Sequence, residues 1–149
     1  NAGVKSYEIF NILHSVKLNG KWVLAKDIEH GYRFAKLGGI ATHARFEIHY
    51  GFSQKLLDEL LALRTNQPHE PSAGSAFKNP EGDYAGRLIE AVGLKGKREG
   101  QMQWSTVHAN FLVNLGGGTY KEAKSLIDLA KSEVLHQFGI SLTEEIKIL

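Results

Sequence analysis

Residues 71–80, PSAGSAFKNP, set two serines, a lysine and an asparagine between two prolines. The hydroxyl of Ser75 is the first group to weigh. A nucleophilic serine needs a histidine base and an acidic residue to orient it. The serine elbow of many hydrolases reads G-x-S-x-G, and AGSAF lacks the second glycine. On spacing alone Ser75 is a turn serine, because Ser, Gly and Pro each favour turns. The stretch GLKGKREG, residues 93–100, brings Lys95, Lys97 and Arg98 together on flexible backbone. That suits a pyrophosphate, and it suits a solvated basic loop equally well. LGGGTYKE, residues 115–122, resembles a phosphate loop entering a helix N-terminus but lacks the Gly-Lys-Ser/Thr ending; a plain glycine turn is the simpler reading. His43 and His49 stand six residues apart on an alternating stretch, about 20 Å if extended, too far for one metal with bonds near 2 Å. No metal site is expected. Tyr32, Arg33 and Glu145 carry no signal individually, since lone residues of these types usually sit at the surface.

The elements that must position these groups come from a chain of 149 residues, enough for one ordinary domain or two small ones. Hydrophobic residues make up 42%, so a core is available, and three prolines do not suggest disorder. A net charge of +2 offers no electrostatic case for nucleic-acid binding. With no cysteine, disulfides, thiolate zinc sites and thiol nucleophiles are excluded, which suits a cytoplasmic location. The apolar runs are too short for a membrane span, and no signal peptide is visible.

VKSYEIFNIL reads as a short helix or turn. Asn19-Gly20 between two apolar runs predicts a hairpin. Residues 39–52 alternate as a strand, with Ala44, Phe46 and Ile48 on one face and His43, Arg45, Glu47 and His49 on the other. A helix follows over residues 53–67 with Ser53 as its cap and leucines on its apolar side. Residues 66–75 are punctuated by turn residues and mark a boundary. Beyond them come a three-turn helix over residues 84–94 ended by Gly93, a short buried strand over residues 111–115, and a long helix from Thr119 to Gly139. Thr119 and Glu122 form a capping box on that helix, and Ala123, Ile127, Ala130, Val134 and Phe138 recur at helical spacing. EEIKIL is a final strand. Strands and helices mix without strict alternation, so the class is α+β.

Taken as ordered blocks, the chain resembles the UDP-N-acetylenolpyruvoylglucosamine reductases. The blocks are NAG at residues 1–3, GYR at 31–33, PSAGSAFKNP, AGRLIEAVGLKGKREG, STVHANFLVN and the tail LTEEIKIL. The resemblance implies the second half of an FAD-binding domain over residues 1–68. A small α+β substrate-binding domain would occupy 69–149, its last strand returning to the flavin side. It also implies that the glycine- and asparagine-rich FAD loop lies upstream of Asn1, so the chain is expected to be a fragment inactive by itself. No insertion separates the strand ending near Phe52 from the helix at Ser53, as in the family's shorter branch, which lacks a tyrosine-bearing loop. The chain departs from the family pattern at Ala35, where serine is usual, and at Val107, where lysine is common.

The implied activity is reduction of UDP-N-acetylglucosamine enolpyruvate to UDP-N-acetylmuramate for peptidoglycan synthesis, with FAD as cofactor and NADPH as co-substrate. Hydride passes from NADPH to FAD and then to C3 of the enolpyruvyl group. Ser75 matches the family's acid that protonates C2, and Arg33 and Glu145 match the pair flanking the enolate. A fixed cation stabilises that charge in a dry site; a carboxyl helps only if protonated or hydrogen-bonded. Asn79 matches a substrate contact and Tyr32 belongs to the same set. Lys78, Lys95 and Arg98 are assigned to the UDP phosphates by charge. Asn1, Ala2 and Gly3 match a flavin-contacting segment. The alternative is a UDP-sugar-binding module without catalysis, which would have no need of a proton donor.

Overall fold

The computed structural model describes residues 1–4, 7–48 and 50–147, which fall into two compact units, Asn1–Arg64 and Thr65–Leu149. His49 lies outside the described residues. Both units combine strands and helices, in keeping with an α+β class.

In the first unit, β1 (Gly3–Val4) and β2 (Tyr7–Glu8) pair antiparallel and lead into a single 3-10 turn, Ile9–Asn11. The helix or turn read from VKSYEIFNIL is this 3-10 turn, and the pairing of Gly3–Val4 with Tyr7–Glu8 comes before it. Gly3 permits that pairing: a Cβ there would lie 2.2 Å from the Tyr7 carbonyl, so only glycine lets the two backbones approach this closely. The predicted hairpin is formed by β3 (Leu13–Leu18) and β4 (Lys21–Leu24). Asn19 and Gly20 take φ of 46° and 84°, the left-handed pair that matches strand twist in a two-residue turn. A ribbon of β5 (His30–Gly31) and β6 (Phe34–Ala35) follows. Then β7 (Ala41–Phe46) joins the free side of β3, for an order β4-β3-β7. Leu13, Val16, Leu18, Ala25 and Ile28 are buried together. Lys17, Trp22 and His43 share a row on the strands, and the Arg45 guanidinium lies 3.9 Å over the Trp22 ring. α1 (Gln54–Ala62) starts where Ser53 Oγ accepts the Leu56 N–H at 3.2 Å. None of its residues is buried.

The second unit contains β8 (Ser72–Ser75), α2 (Ala85–Ala91), β9 (Arg98–Glu99), β10 (Met102–Trp104), β11 (Phe111–Asn114) and α3 (Tyr120–Phe138). The sheet order is β8-β11-β10-β9. Residues 72–75 are strand rather than loop. α2 has two turns rather than three: Gly93 at φ 74° turns the chain so that the Leu94 N–H returns to the Ile89 carbonyl at 3.1 Å. α3 has the predicted capping box and ends at Gly139 in the left-handed conformation. Ile127, Ala130 and Val134 of its predicted stripe are buried beside Trp104, Phe77, Leu88 and Ile89. Among the described residues the final strand is not observed, and the tail makes one antiparallel bridge, Glu144 to Phe77. Glu145 and Ile146 both aim their N–H at the single carbonyl of Ala76, at 2.8 and 3.5 Å, so a regular ladder cannot continue. Among the described residues no helix is long and apolar enough to cross a membrane.

Candidate functional site

Ser75 ends β8, opposite Phe111 of the neighbouring β11. It is half-buried and lines a cavity of about 500 Å³ whose walls include Asn79, Tyr84, Arg87, Glu90 and His108. The two residues after it are fixed on three sides. Ala76 donates its N–H to the Asn110 carbonyl at 2.7 Å, and its own carbonyl accepts the Glu145 N–H. The side-chain amide of the buried Asn110 grips Phe77 twice: Oδ1 accepts the Phe77 N–H at 3.0 Å and Nδ2 donates to the Phe77 carbonyl at 2.8 Å. A side-chain amide thus stands in for a β-strand peptide, leaving these two buried backbone groups of Phe77 paired. Lys78 donates its N–H to Thr143 at 2.8 Å, one step further along the tail. The tail carrying Glu145 is thereby held against the strand carrying Ser75.

Asn79 accepts the Ala85 N–H at 3.1 Å, satisfying a donor of the first turn of α2 that the helix itself cannot. Arg87, one turn into α2, is held by Asp83 through Nε at 2.7 Å and through a second, parallel Nη2–Oδ2 contact. Hydrogen bonding to that guanidinium and to the Tyr84 N–H pulls the Asp83 carboxyl down to about 2. Of the cations assigned to phosphates by charge, Lys95 pairs with Glu90 at 3.0 Å, beside the cavity. Arg98 is turned to its own hairpin, donating to the Gly100 carbonyl at 2.7 Å and to Gln101 Oε1 at 2.8 Å. Its contacts brace the β9–β10 turn.

The sequence alone does not single out His108 or Arg87. Both lie in the blocks AGRLIEAVGLKGKREG and STVHANFLVN, but neither shows its role without the fold. His108 is half-buried, and its Nδ1 accepts the Asn110 N–H at 3.2 Å. Its pKa falls below the ordinary value of 6.5, chiefly through burial, with Lys95 adding repulsion and Glu90 opposing it. Because Nδ1 accepts the Asn110 N–H, the neutral ring carries its proton on Nε2. Gly86 gives it room: a Cβ there would stand 3.0 Å from the ring. Val107, half exposed, lines the cavity.

The remaining candidates lie in the first unit. Arg33 sits between β5 and β6 with φ 59° and its guanidinium 5.3 Å from the Tyr32 ring centre. Asn1 is tied to the same ribbon: Nδ2 donates to the Gly31 carbonyl at 3.1 Å and to Glu8 at 2.7 Å. The Ala2 carbonyl accepts the Ile9 N–H at 2.9 Å. The Asn1 side chain and the Ala2 carbonyl are engaged internally, and Gly3 is closed against Tyr7. The segment and the Tyr32–Arg33 pair are joined through Gly31.

The family model for the C-terminal domain of UDP-N-acetylenolpyruvoylglucosamine reductase matches residues 67–149. The enzyme of that name from Helicobacter hepaticus is 48% identical over 149 residues, all of this chain and 57% of its own length. That from Helicobacter pylori strain J99 is 46% identical, with 58% of its length covered. The crystal structure of UDP-N-acetylenolpyruvylglucosamine reductase from Thermus caldophilus superposes with a TM-score of 0.83 at 33% identity, over 99% of this chain and 56% of the other. The chain thus spans just over half the length of the relatives it matches.

Proposed function

The chain belongs to the UDP-N-acetylenolpyruvoylglucosamine reductase family, and from that premise we propose that it is part of a longer cytoplasmic flavoenzyme of peptidoglycan precursor synthesis. The reaction is NADPH-driven reduction of UDP-N-acetylglucosamine enolpyruvate to UDP-N-acetylmuramate. Residues 1–68 contribute to the FAD-binding domain and residues 69–149 bind the sugar nucleotide. FAD, contacted by the backbone of Asn1, Ala2 and Gly3, supplies the hydride when bound.

The chain's own residues handle the proton and the negative charge. Hydride addition at C3 leaves an electron pair at C2, delocalised into the adjacent carboxylate. Ser75 Oγ–H gives its proton to C2 and completes the saturated lactyl group; solvent returns the proton to the serine. Arg33 offers a fixed cation to the enolate, and Glu145 flanks it. Serine is a weak acid in water, so its use depends on position more than on strength. Asn79 and Tyr32 contact substrate, with Lys78 and Lys95 assigned to the diphosphate. The observation that carries the reading is the placement of Ser75 in the wall of the cavity, one residue from the carbonyl that anchors Glu145.

The test is the visible absorption spectrum of the purified full-length protein before and after addition of the enolpyruvyl UDP-sugar. A flavin band that shifts with ligand supports a shared site. Absence of flavin with sugar-nucleotide binding still detectable by calorimetry would leave a binding module and reject the reductase.

A further inference from the structure

We infer that Asn110 is the positioning residue that sets Ser75, Glu145 and His108 relative to one another. The inference rests on the proton-donor reading of Ser75 and adds a residue to it. Every polar group of Asn110 is committed. Its N–H goes to His108 Nδ1, its carbonyl accepts from Ala76, and its side-chain amide takes both the N–H and the carbonyl of Phe77. Ala76 and Phe77 immediately follow Ser75, and they are also where the tail docks, through the Glu145 N–H on Ala76 and the Glu144 bridge to Phe77. One buried side chain therefore fixes the backbone that carries the proton donor and the backbone that receives the acidic residue.

The chemistry requires an amide. A carboxylate at this position keeps the acceptor for the Phe77 N–H but loses the donor for the Phe77 carbonyl, setting two oxygens against each other in a buried place. An alanine leaves both backbone groups of Phe77 without that partner. The Asn110 backbone N–H also holds His108 in the tautomer that protonates Nε2, so the clamp orders a second wall of the same cavity. Asn110 also borders the cavity, but its polar groups are turned to Phe77, Ala76 and His108, and it acts through Ser75, Glu145 and His108.

The experiment is Asn110→Asp in the full-length enzyme, followed by stopped-flow absorbance of each half-reaction and by hydrogen exchange. Flavin reduction by NADPH stays within about 2-fold of the unmodified enzyme. Reoxidation by the enolpyruvyl sugar slows about 10- to 100-fold, the scale expected of a displaced reacting group. The loss narrows at low pH, where the introduced carboxyl is protonated and its O–H donates to the Phe77 carbonyl. The amides of Ala76, Phe77 and Glu145 exchange faster at neutral pH. Unchanged exchange at these three amides overturns the clamp, and so does faster exchange with undiminished reoxidation. Ser75→Ala is run alongside. Should it leave reoxidation intact, the proton-donor reading fails, while the exchange data still decide whether Asn110 positions this backbone.

Discussion

Lys131 Nζ donates to Glu144 Oε1 at 2.9 Å, joining α3 to the residue that precedes Glu145. The pair is partly open to solvent, with side chains 42% and 24% exposed. Ion pairs of this kind contribute about 0.2–1 kcal/mol and weaken with salt. The tail is also held by backbone hydrogen bonds to Ala76 and Lys78, which no side-chain change at position 131 removes. Lys131→Met should lower unfolding free energy by less than about 1 kcal/mol, and the difference should shrink in 1 M salt. Denaturant titrations at two ionic strengths measure it; a loss of several kcal/mol would make the ion pair, not the backbone, the main anchor.

Ser75→Ala removes the hydroxyl while the paired backbone of β8 and the contacts of Ala76 and Phe77 remain. Flavin reduction by NADPH should be unaffected. Reoxidation by the enolpyruvyl sugar should fall by about 10²- to 10⁴-fold, the usual contribution of a positioned acid. Rapid-mixing absorbance separates the two steps, and equal slowing of both would reject the donor role.

These assignments differ in how far the sequence foreshadows them. The Asn19-Gly20 hairpin and the Thr119–Glu122 capping box are local: neighbouring residues contain the whole physical cause. The core stripe of α3 follows from its period. The Asn110 clamp joins residues 33 apart, and nothing in the pattern around Asn110 distinguishes a buried amide from an exposed one. Arg98 is a second case. Its charge and glycine-rich setting suggest phosphate, and nothing in the pattern shows that it also braces the turn through the Gly100 carbonyl and Gln101. The tail reads as a strand, but among the described residues the N–H groups of Glu145 and Ile146 converge on one carbonyl and a single bridge forms.

His108 gives the second unit a pH dependence of defined sign. Burial lowers its pKa in the folded state below the ordinary 6.5, so the unfolded chain binds the proton more readily. The contribution of the neutral ring to stability is fully present above pH 6.5 and is lost as pH falls through the lower, folded value. Protonating Nδ1 also turns the acceptor of the Asn110 N–H into a donor facing a donor. His108→Gln, which keeps an acceptor and does not titrate, should flatten the fall in stability between pH 7.5 and pH 5. Chemical denaturation of both proteins at the two pH values measures this, and identical slopes would assign the acid sensitivity to other groups.

Gly100 and Gly82 separate backbone strain from steric conflict. Both take positive φ, 54° and 75°, so alanine at either pays the cost of the left-handed region, about 1 kcal/mol. At Gly82 the added Cβ meets nothing within 4 Å, whereas at Gly100 it would lie 2.1 Å from Glu122 Oε1. Glu122 closes the capping box with the Thr119 N–H and also accepts the Gln101 N–H at 3.2 Å, which ties the β9–β10 turn to the start of α3. Displacing that carboxylate forfeits both contacts. Gly100→Ala should therefore cost about 1–2 kcal/mol more than Gly82→Ala, the range for a lost helix cap. It should also accelerate hydrogen exchange at the Thr119 and Gln101 amides. Thermal melts with residue-resolved exchange test both, and equal costs at the two glycines would show that Glu122 swings aside without loss.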